Sequence, residues 1–154
     1  MMILCPHFLI DIMKNLVIIG AGGMGRTIFD VARESIGYGI EYTIKGFIDD
    51  NLSALDGFED YPPMLGTISH YLPEVDDVFT FSIGGESRRV CIEYLMERNA
   101  KFINIVHSTA RIGSNVRMGE GNVIGAFTSL GADCSIGSYN MIQSYTVIGH
   151  DAKI

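Results

Sequence analysis

The sequence is poor in the features that mark several large functional classes. Its 11 lysines and arginines are outnumbered by 18 aspartates and glutamates, giving a net charge of −7, and nowhere do they cluster. Nucleic-acid backbones are bound through such clusters, so neither DNA nor RNA is an expected partner. Cysteine is scarce: Cys5, Cys91 and Cys134 form an odd, widely spaced set without a CxxC pair. That set fits three free thiols in a reducing cytoplasm rather than a disulfide framework. No apolar run is long enough for a membrane span. The apolar opening, residues 1–13, lacks a basic flank and a small-residue cleavage site, and it reads as a leader or as an over-extended start ahead of a natural Met13. Histidine, the side chain best suited to proton transfer near neutral pH, occurs only at His7, His70, His107 and His150.

What is present divides into two territories. Residues 14–106 alternate strand and helix, the pattern of an α/β unit with a parallel sheet. Leu16 to Ile19, Ile44 to Ile48, Val78 to Ile83 and Phe102 to Val106 are short apolar runs bounded by Gly, Asp or Asn and read as buried strands. Helices are expected from about Met24 to Ser35 and from about Glu86 to Asn99. Asn51 to Gly66, with Pro62-Pro63 and several acids, reads as a loop over the carboxyl edge of the sheet, followed by a helical turn near Ile68 to Tyr71.

From residue 107 onward the period becomes six. Ile112, Met118, Ile124, Leu130, Ile136, Ile142, Ile148 and Ile154 are large aliphatics at unbroken six-residue spacing. The next residue is Gly113, Gly119, Gly125, Gly131, Gly137, then Gln143, then Gly149, and two residues before each aliphatic stands a small or medium side chain. A β-sandwich would alternate with period two and turn every ~8–12 residues. The period of six instead describes a triangular parallel β-helix of left-handed type, each flat face giving one aliphatic to a stacked interior and the glycine easing the chain into the corner. The register ends at Ile154, where the hexad glycine is due, so the coil reads as truncated.

Two smaller patterns carry chemistry. Gly20-x-Gly22-x-x-Gly25, after a strand and before a helix, offers backbone N–H groups to a phosphate; alone it suits a dinucleotide such as NAD as well as any other phosphate ligand. Asp49 and Asp50 end the second strand near that loop, either as a solvated turn or as acceptors for a ribose hydroxyl or a base N–H. In the hexads, His150 follows Ile148-Gly149 at a position facing away from the coil interior, and His107 at the junction reads as a structural fastener. With only His150 in the coils, no histidine metal site is expected there.

Ile19-Gly20-Ala21-Gly22-Gly23-Met24-Gly25, Gly46-Phe47-Ile48-Asp49-Asp50, Ile83-Gly84-Gly85 with Arg88, Asn104-Ile105-Val106-His107 and the hexads together resemble the bacterial sugar O- and N-acetyltransferases of the sialic-acid and bacillosamine type. The resemblance spans residues 14–154. It implies a small Rossmann-like domain over 14–106, which holds a nucleotide-activated amino sugar or sialic acid through Gly20, Gly22, Gly23, Met24, Gly25, Asp49, Asp50, Gly84, Gly85 and Arg88. It implies a left-handed β-helix over 107–154 that forms a homotrimer, with acetyl-CoA as co-substrate between neighbouring helices. At the motif matched by His150 and Asp151, the family's catalytic base is a histidine followed by an acid that orients it. Family members continue through further coils, and most carry His where this chain has Met24. A noncatalytic trimeric sugar-binding scaffold, a truncated inactive remnant and an NAD-dependent oxidoreductase are the alternatives.

Overall fold

The computed structural model describes residues 12–154, so Cys5, His7 and nearly all of the leader reading over 1–13 lie outside the described residues. Four strands, β1 (Lys14–Ile19), β2 (Tyr42–Ile48), β3 (Met64–Gly66) and β4 (Asp77–Phe81), form one parallel sheet in the order β3-β2-β1-β4. Helix α1 (Gly23–Arg33) follows β1, and helix α2 (Gly85–Met96) follows β4. Central β1 is covered on both faces. Leu16 and Ile18 pack with Ile28, Phe29 and Ala32 of α1, whereas Val17 and Ile19 pack with Ile92 and Leu95 of α2. A strand buried on both sides is apolar at every position, which explains an uninterrupted Leu-Val-Ile-Ile in place of alternation. At the far end of α1, the Tyr42 hydroxyl donates to the Ala32 carbonyl at 3.0 Å and bonds the Ser35 hydroxyl; burial pushes this phenol up to about 12.

Two stretches differ from the sequence reading. The expected loop ends in β3, where Met64 pairs with Phe47 and Gly66 with Ile48. Pro62-Pro63 hides this strand, because proline cannot donate to a ladder. At the sheet edge it does not need to, and the Pro63 carbonyl accepts the Phe47 N–H at 3.0 Å. The run Phe102 to Val106 divides: Phe102 bridges to Phe79 of the sheet, whereas β5 (Ile105–Val106) pairs with a strand of the coil. Val106 stands six residues before Ile112 and is the first member of the aliphatic series.

The remaining strands are dipeptides: β6 (Arg111–Ile112), β7 (Arg117–Met118), β8 (Val123–Ile124), β9 (Ser129–Leu130), β10 (Ser135–Ile136), β11 (Met141–Ile142) and β12 (Val147–Ile148). They stack as three parallel sheets, β5-β8-β11, β6-β9-β12 and β7-β10, and a bridge from Ser135 to Lys153 extends the third. Equivalent rungs lie 18 residues apart, three hexads to a coil. Ile124, Leu130, Ile136 and Ile142 fill the interior. Asn104, Asn122 and Asn140 form a polar ladder beside them. Asn122 is fully buried; its Oδ1 accepts the Asn140 backbone N–H at 2.9 Å, and its own N–H donates to Asn104 Oδ1 at 2.8 Å.

The hexad glycines have a reason other than turning. Left-handed backbone falls at Asn115, Gly121, Phe127, Asp133, Tyr139, Tyr145 and Asp151, two residues after each glycine position. At Gly113, Gly119, Gly125 and Gly131 the next coil is too near for a side chain, whereas a Cβ on Gly149 would meet nothing within 4 Å. A Cβ on Gly125 would lie 2.5 Å from the Ser144 nitrogen, and one on Gly131 would lie 2.5 Å from the His150 nitrogen.

One face of the coil, built by β5, β8 and β11, meets the first unit. Ile105 and Val123 share a core with Leu16 and α1, and Tyr139 and Met141 pack against the α2 side. His107, 5% exposed, fastens the seam. Its Nδ1 accepts the Thr109 N–H at 3.1 Å, so the ring proton sits on Nε2 and is donated to Glu34 at 2.7 Å.

Candidate active site

The carboxyl ends of neighbouring β1 and β4 lie side by side, and each runs through glycine into a helix. Gly20 (φ +93°) and Gly25 are required by the chain itself: a Cβ on Gly20 would stand 2.5 Å from Ser82 Oγ, and one on Gly25 would stand 2.1 Å from the Gly20 oxygen. Gly85 (φ +67°) is required by its backbone. Gly22 and Gly84 differ, since neither has positive φ and neither Cβ position meets an atom within 4 Å. They are the N-caps of α1 and α2, and neither helix has a side-chain cap. A Ser or Asp there would cap an N–H directly and stabilise each helix by about 0.3 kcal/mol over glycine. Both helices forgo it, leaving two sets of unpaired N–H donors at adjacent strand ends, the place where α/β sheets bind anionic ligands.

Around this mouth, Asp49 Oδ2 accepts the Ala21 N–H at 2.8 Å and its Oδ1 accepts the Asn51 N–H at 2.8 Å, which ties the glycine loop to the end of β2. Asp50 accepts the Ile68 N–H at 3.1 Å. Both carboxylates thus serve the chain's own backbone while remaining at the rim of the mouth. Arg88 lies with its guanidinium 5.2 Å from the Phe81 ring centre. Met24 is 39% exposed and opens a cleft of about 150 Å³ between α1 and the coil, lined also by Thr27, Val31, Met141, Gln143 and Ser144. The sequence reading missed this cleft, although Gln143 had shown itself as the one departure from the glycine positions.

His150 stands elsewhere. It lies on the corner between the β12 face and the third face, whereas α1 and the sheet meet the β5-β8-β11 face. The imidazole is 83% exposed, and Nδ1 lies 2.6 Å from Asp151 Oδ2. This hydrogen bond, then the carboxylate charges of Asp151 and Asp133, raise its pKa above the ordinary imidazole value. Asp151 occupies a left-handed corner position above Asp133, which accepts from Asn115 Nδ2 at 3.0 Å. A neutral His150 donating Nδ1–H to Asp151 presents a free lone pair on Nε2 to the outside. The chain therefore brings Gly20 to Gly25, Asp49, Asp50, Gly84, Gly85 and Arg88 to one end of the sheet, and leaves His150 and Asp151 apart from them.

Two family models match the chain: the PglD N-terminal domain over residues 15–95, and the bacterial transferase hexapeptide (six repeats) over residues 115–150. The chain belongs to the PglD N-terminal domain family. A curated relative, the UDP-N-acetylbacillosamine N-acetyltransferase of Bacillus subtilis (strain 168), is 31% identical over 117 residues, which cover 73% of this chain and 51% of that protein. The chain thus spans about half the length of the curated relative it matches. Among solved structures, the acetyltransferase domain of PglB from Neisseria gonorrhoeae FA1090 in complex with acetyl coenzyme A aligns with a TM-score of 0.76 at 23% identity, covering 92% of this chain and 67% of that one. PerB from Caulobacter crescentus, in complex with CoA and GDP-perosamine, aligns with a TM-score of 0.74 at 24% identity, covering 91% and 65%. These likenesses establish the fold, an α/β unit followed by a hexapeptide coil, and bear out the family resemblance drawn from the motifs. Among the described residues no helix of this PglD-family chain is long and apolar enough to cross a membrane.

Proposed function

We propose that this protein is a cytoplasmic sugar acetyltransferase that moves an acetyl group from acetyl-CoA to a nucleotide-activated amino sugar, or to a sialic acid, with His150 as general base and Asp151 as its orienting partner. The family membership and the curated relative's N-acetyltransferase name support the reaction class. The strand order β3-β2-β1-β4, with helices on both faces, supports a Rossmann-like first unit, and the two uncapped helix N-termini suit the phosphates of a nucleotide sugar. The hexad coil supports the left-handed β-helix of this family.

The observation that carries the reading is the His150–Asp151 pair, exposed where a bulky thioester can reach it from outside the coil. Nε2 takes the proton from the acceptor's amine or hydroxyl as its N or O attacks, and the Asp151 carboxylate stabilises the imidazolium so formed. Acetyl-CoA supplies the activated carbonyl carbon; the tetrahedral adduct collapses with loss of the C–S bond, and the imidazolium gives its proton to the departing CoA thiolate, which restores the neutral base. His150 and the glycine mouth of one chain lie on different sides of the coil, which favours a site shared between copies. A homotrimer fits this need. The stacked rings of Phe127 and Tyr145, with centres 5.1 Å apart and 55% and 76% exposed, together with exposed Val147, are surface such an assembly would cover.

The test is thiol release from acetyl-CoA with a panel of UDP-amino sugars and sialic acid, for the native sequence and for His150→Ala. Sugar-dependent release that falls about a hundredfold or more in the variant is the expected result. Release that is unchanged in His150→Ala removes the base assignment. Sugar binding with no release from any acceptor favours the noncatalytic scaffold.

A further inference from the structure

Resting on the reading of the glycine mouth as a nucleotide-sugar site, we propose that Arg26 grips the ligand's diphosphate and that Phe58, on the loop after β2, is the positioning residue that holds the guanidinium there. Arg26 stands in the first turn of α1, its backbone N–H closing the turn on the Gly22 carbonyl at 3.1 Å. Its Cζ lies 3.7 Å from the centre of the Phe58 ring, and its terminal NH2 is 3.9 Å from the point where a Cβ on Gly23 would lie. The guanidinium is thereby laid beside the uncapped N-terminus of α1.

The charges nearby make this placement informative. Asp30 follows one turn later on the helix, and Asp56, Glu59 and Asp60 flank Phe58 in sequence. Among the described residues none of these carboxylates forms an ion pair with Arg26, whereas Arg89 on α2 pairs with Glu93 at the same helical spacing. Arg26 instead spends one face on an aromatic ring, which leaves its N–H edge available to a planar or tetrahedral oxyanion.

Phe58 is half exposed, but it stands on an anchored loop. The loop that carries it turns through Leu55, whose carbonyl accepts the Phe58 N–H at 3.0 Å, and Leu55 and Tyr61 pack against the α1 core. Tyr61 meets Phe29 edge-on with ring centres 5.3 Å apart. The loop is thus a stable arm from which Phe58 reaches the guanidinium, and an anion bound at the α1 terminus would meet Arg26 without first having to order it.

Calorimetric titration of the full chain with UDP and with uridine tests the assignment. Arg26→Gln should weaken UDP binding by about ten- to a hundredfold and leave uridine binding unchanged. Arg26→Lys, which keeps the charge but not the fork, should fall between. Phe58→Leu should weaken UDP binding by a smaller factor and add nothing in the Arg26→Gln background, because it acts only through the arginine. UDP binding that is unchanged in Arg26→Gln, or UDP and uridine affinities lost together, overturns the proposal while leaving the nucleotide-sugar site standing. A native chain that binds neither UDP nor GDP overturns both.

Discussion

Truncating the central rung of the asparagine ladder, Asn122→Ala, should cost far more than truncating the last rung. Asn122 is fully buried, and its side chain has five polar partners within hydrogen-bond distance. The two Nδ2 protons are shared among Asn104 Oδ1, the Gly119 carbonyl and the Gly137 carbonyl at 3.2, 3.1 and 2.9 Å, while Oδ1 accepts the Asn140 N–H and Nδ2 at 2.9 and 3.1 Å. The Gly119 carbonyl retains Asn104 Nδ2 at 2.8 Å, and the Gly137 carbonyl retains a longer bond from the Gly119 N–H at 3.2 Å. The Asn140 N–H loses its partner outright. One orphaned donor, two weakened acceptors and the small void sum to about 3 kcal/mol. Asn140→Ala leaves every Asn122 donor bond intact and should cost about 1 kcal/mol. With a urea m-value of about 2 kcal/mol/M, the unfolding midpoint should fall by about 1.5 M in the first variant and about 0.5 M in the second. Equal shifts in the two variants would refute the argument, since they would mean that the ladder's interior rung is no more enclosed than its end.

Other outcomes follow from the same geometry. Gly131→Ala sets a Cβ 2.5 Å from the His150 nitrogen and should destabilise by about 2 kcal/mol or more, while Gly149→Ala meets nothing within 4 Å and should cost less than about 0.5 kcal/mol; paired thermal melts read the difference. In the transfer reaction, the acid limb of the rate profile should lie above the ordinary imidazole pKa and move down in Asp151→Asn, because the carboxylate that favours the imidazolium is gone. An unmoved limb would assign the titration to another group. Asp77 has a side chain with no exposed surface; burial alone would raise its pKa, but hydrogen bonds from Lys45, Tyr71 and the Glu74 N–H overcome this and hold it below the usual carboxylate range. A depressed carboxyl contributes stability that is present above its unfolded pKa and lost as pH falls through the folded one. Urea midpoints measured between about pH 5 and pH 2 should therefore fall more steeply in the native chain than in Asp77→Asn.

Much of this molecule was open to inspection in its sequence because its local periods are strong. A coil of dipeptide strands repeats one steric demand every six residues, so the aliphatic and glycine series declare it without reference to anything distant. The alternation of strand and helix, and the glycine-rich entries to α1 and α2, are likewise local. Where local signals conflict, sequence alone does not choose between them. Pro62-Pro63 masked β3, since a proline pair speaks for a loop unless an edge position tolerates it. Phe102 to Val106 looked like one strand because an apolar run cannot say which sheet it joins. The glycines at the hexad corners were legible as positions but not as causes. Their need comes from backbone 18 residues away rather than from their own dihedrals.

The sequence by itself determined the two architectures, their order and the residue types at the candidate site, because each follows from contacts within a few residues or from a strict repeat. Only the tertiary structure decided how those residues are distributed. It set two uncapped helix ends side by side through the pairing of β1 with β4, bound Asp49 to the glycine loop, laid Arg26 on Phe58, and turned the His150 corner away from the face that meets the sheet. Each of these depends on packing between segments tens of residues apart, where side-chain shape and the closure of the core choose among arrangements that local sequence leaves equal.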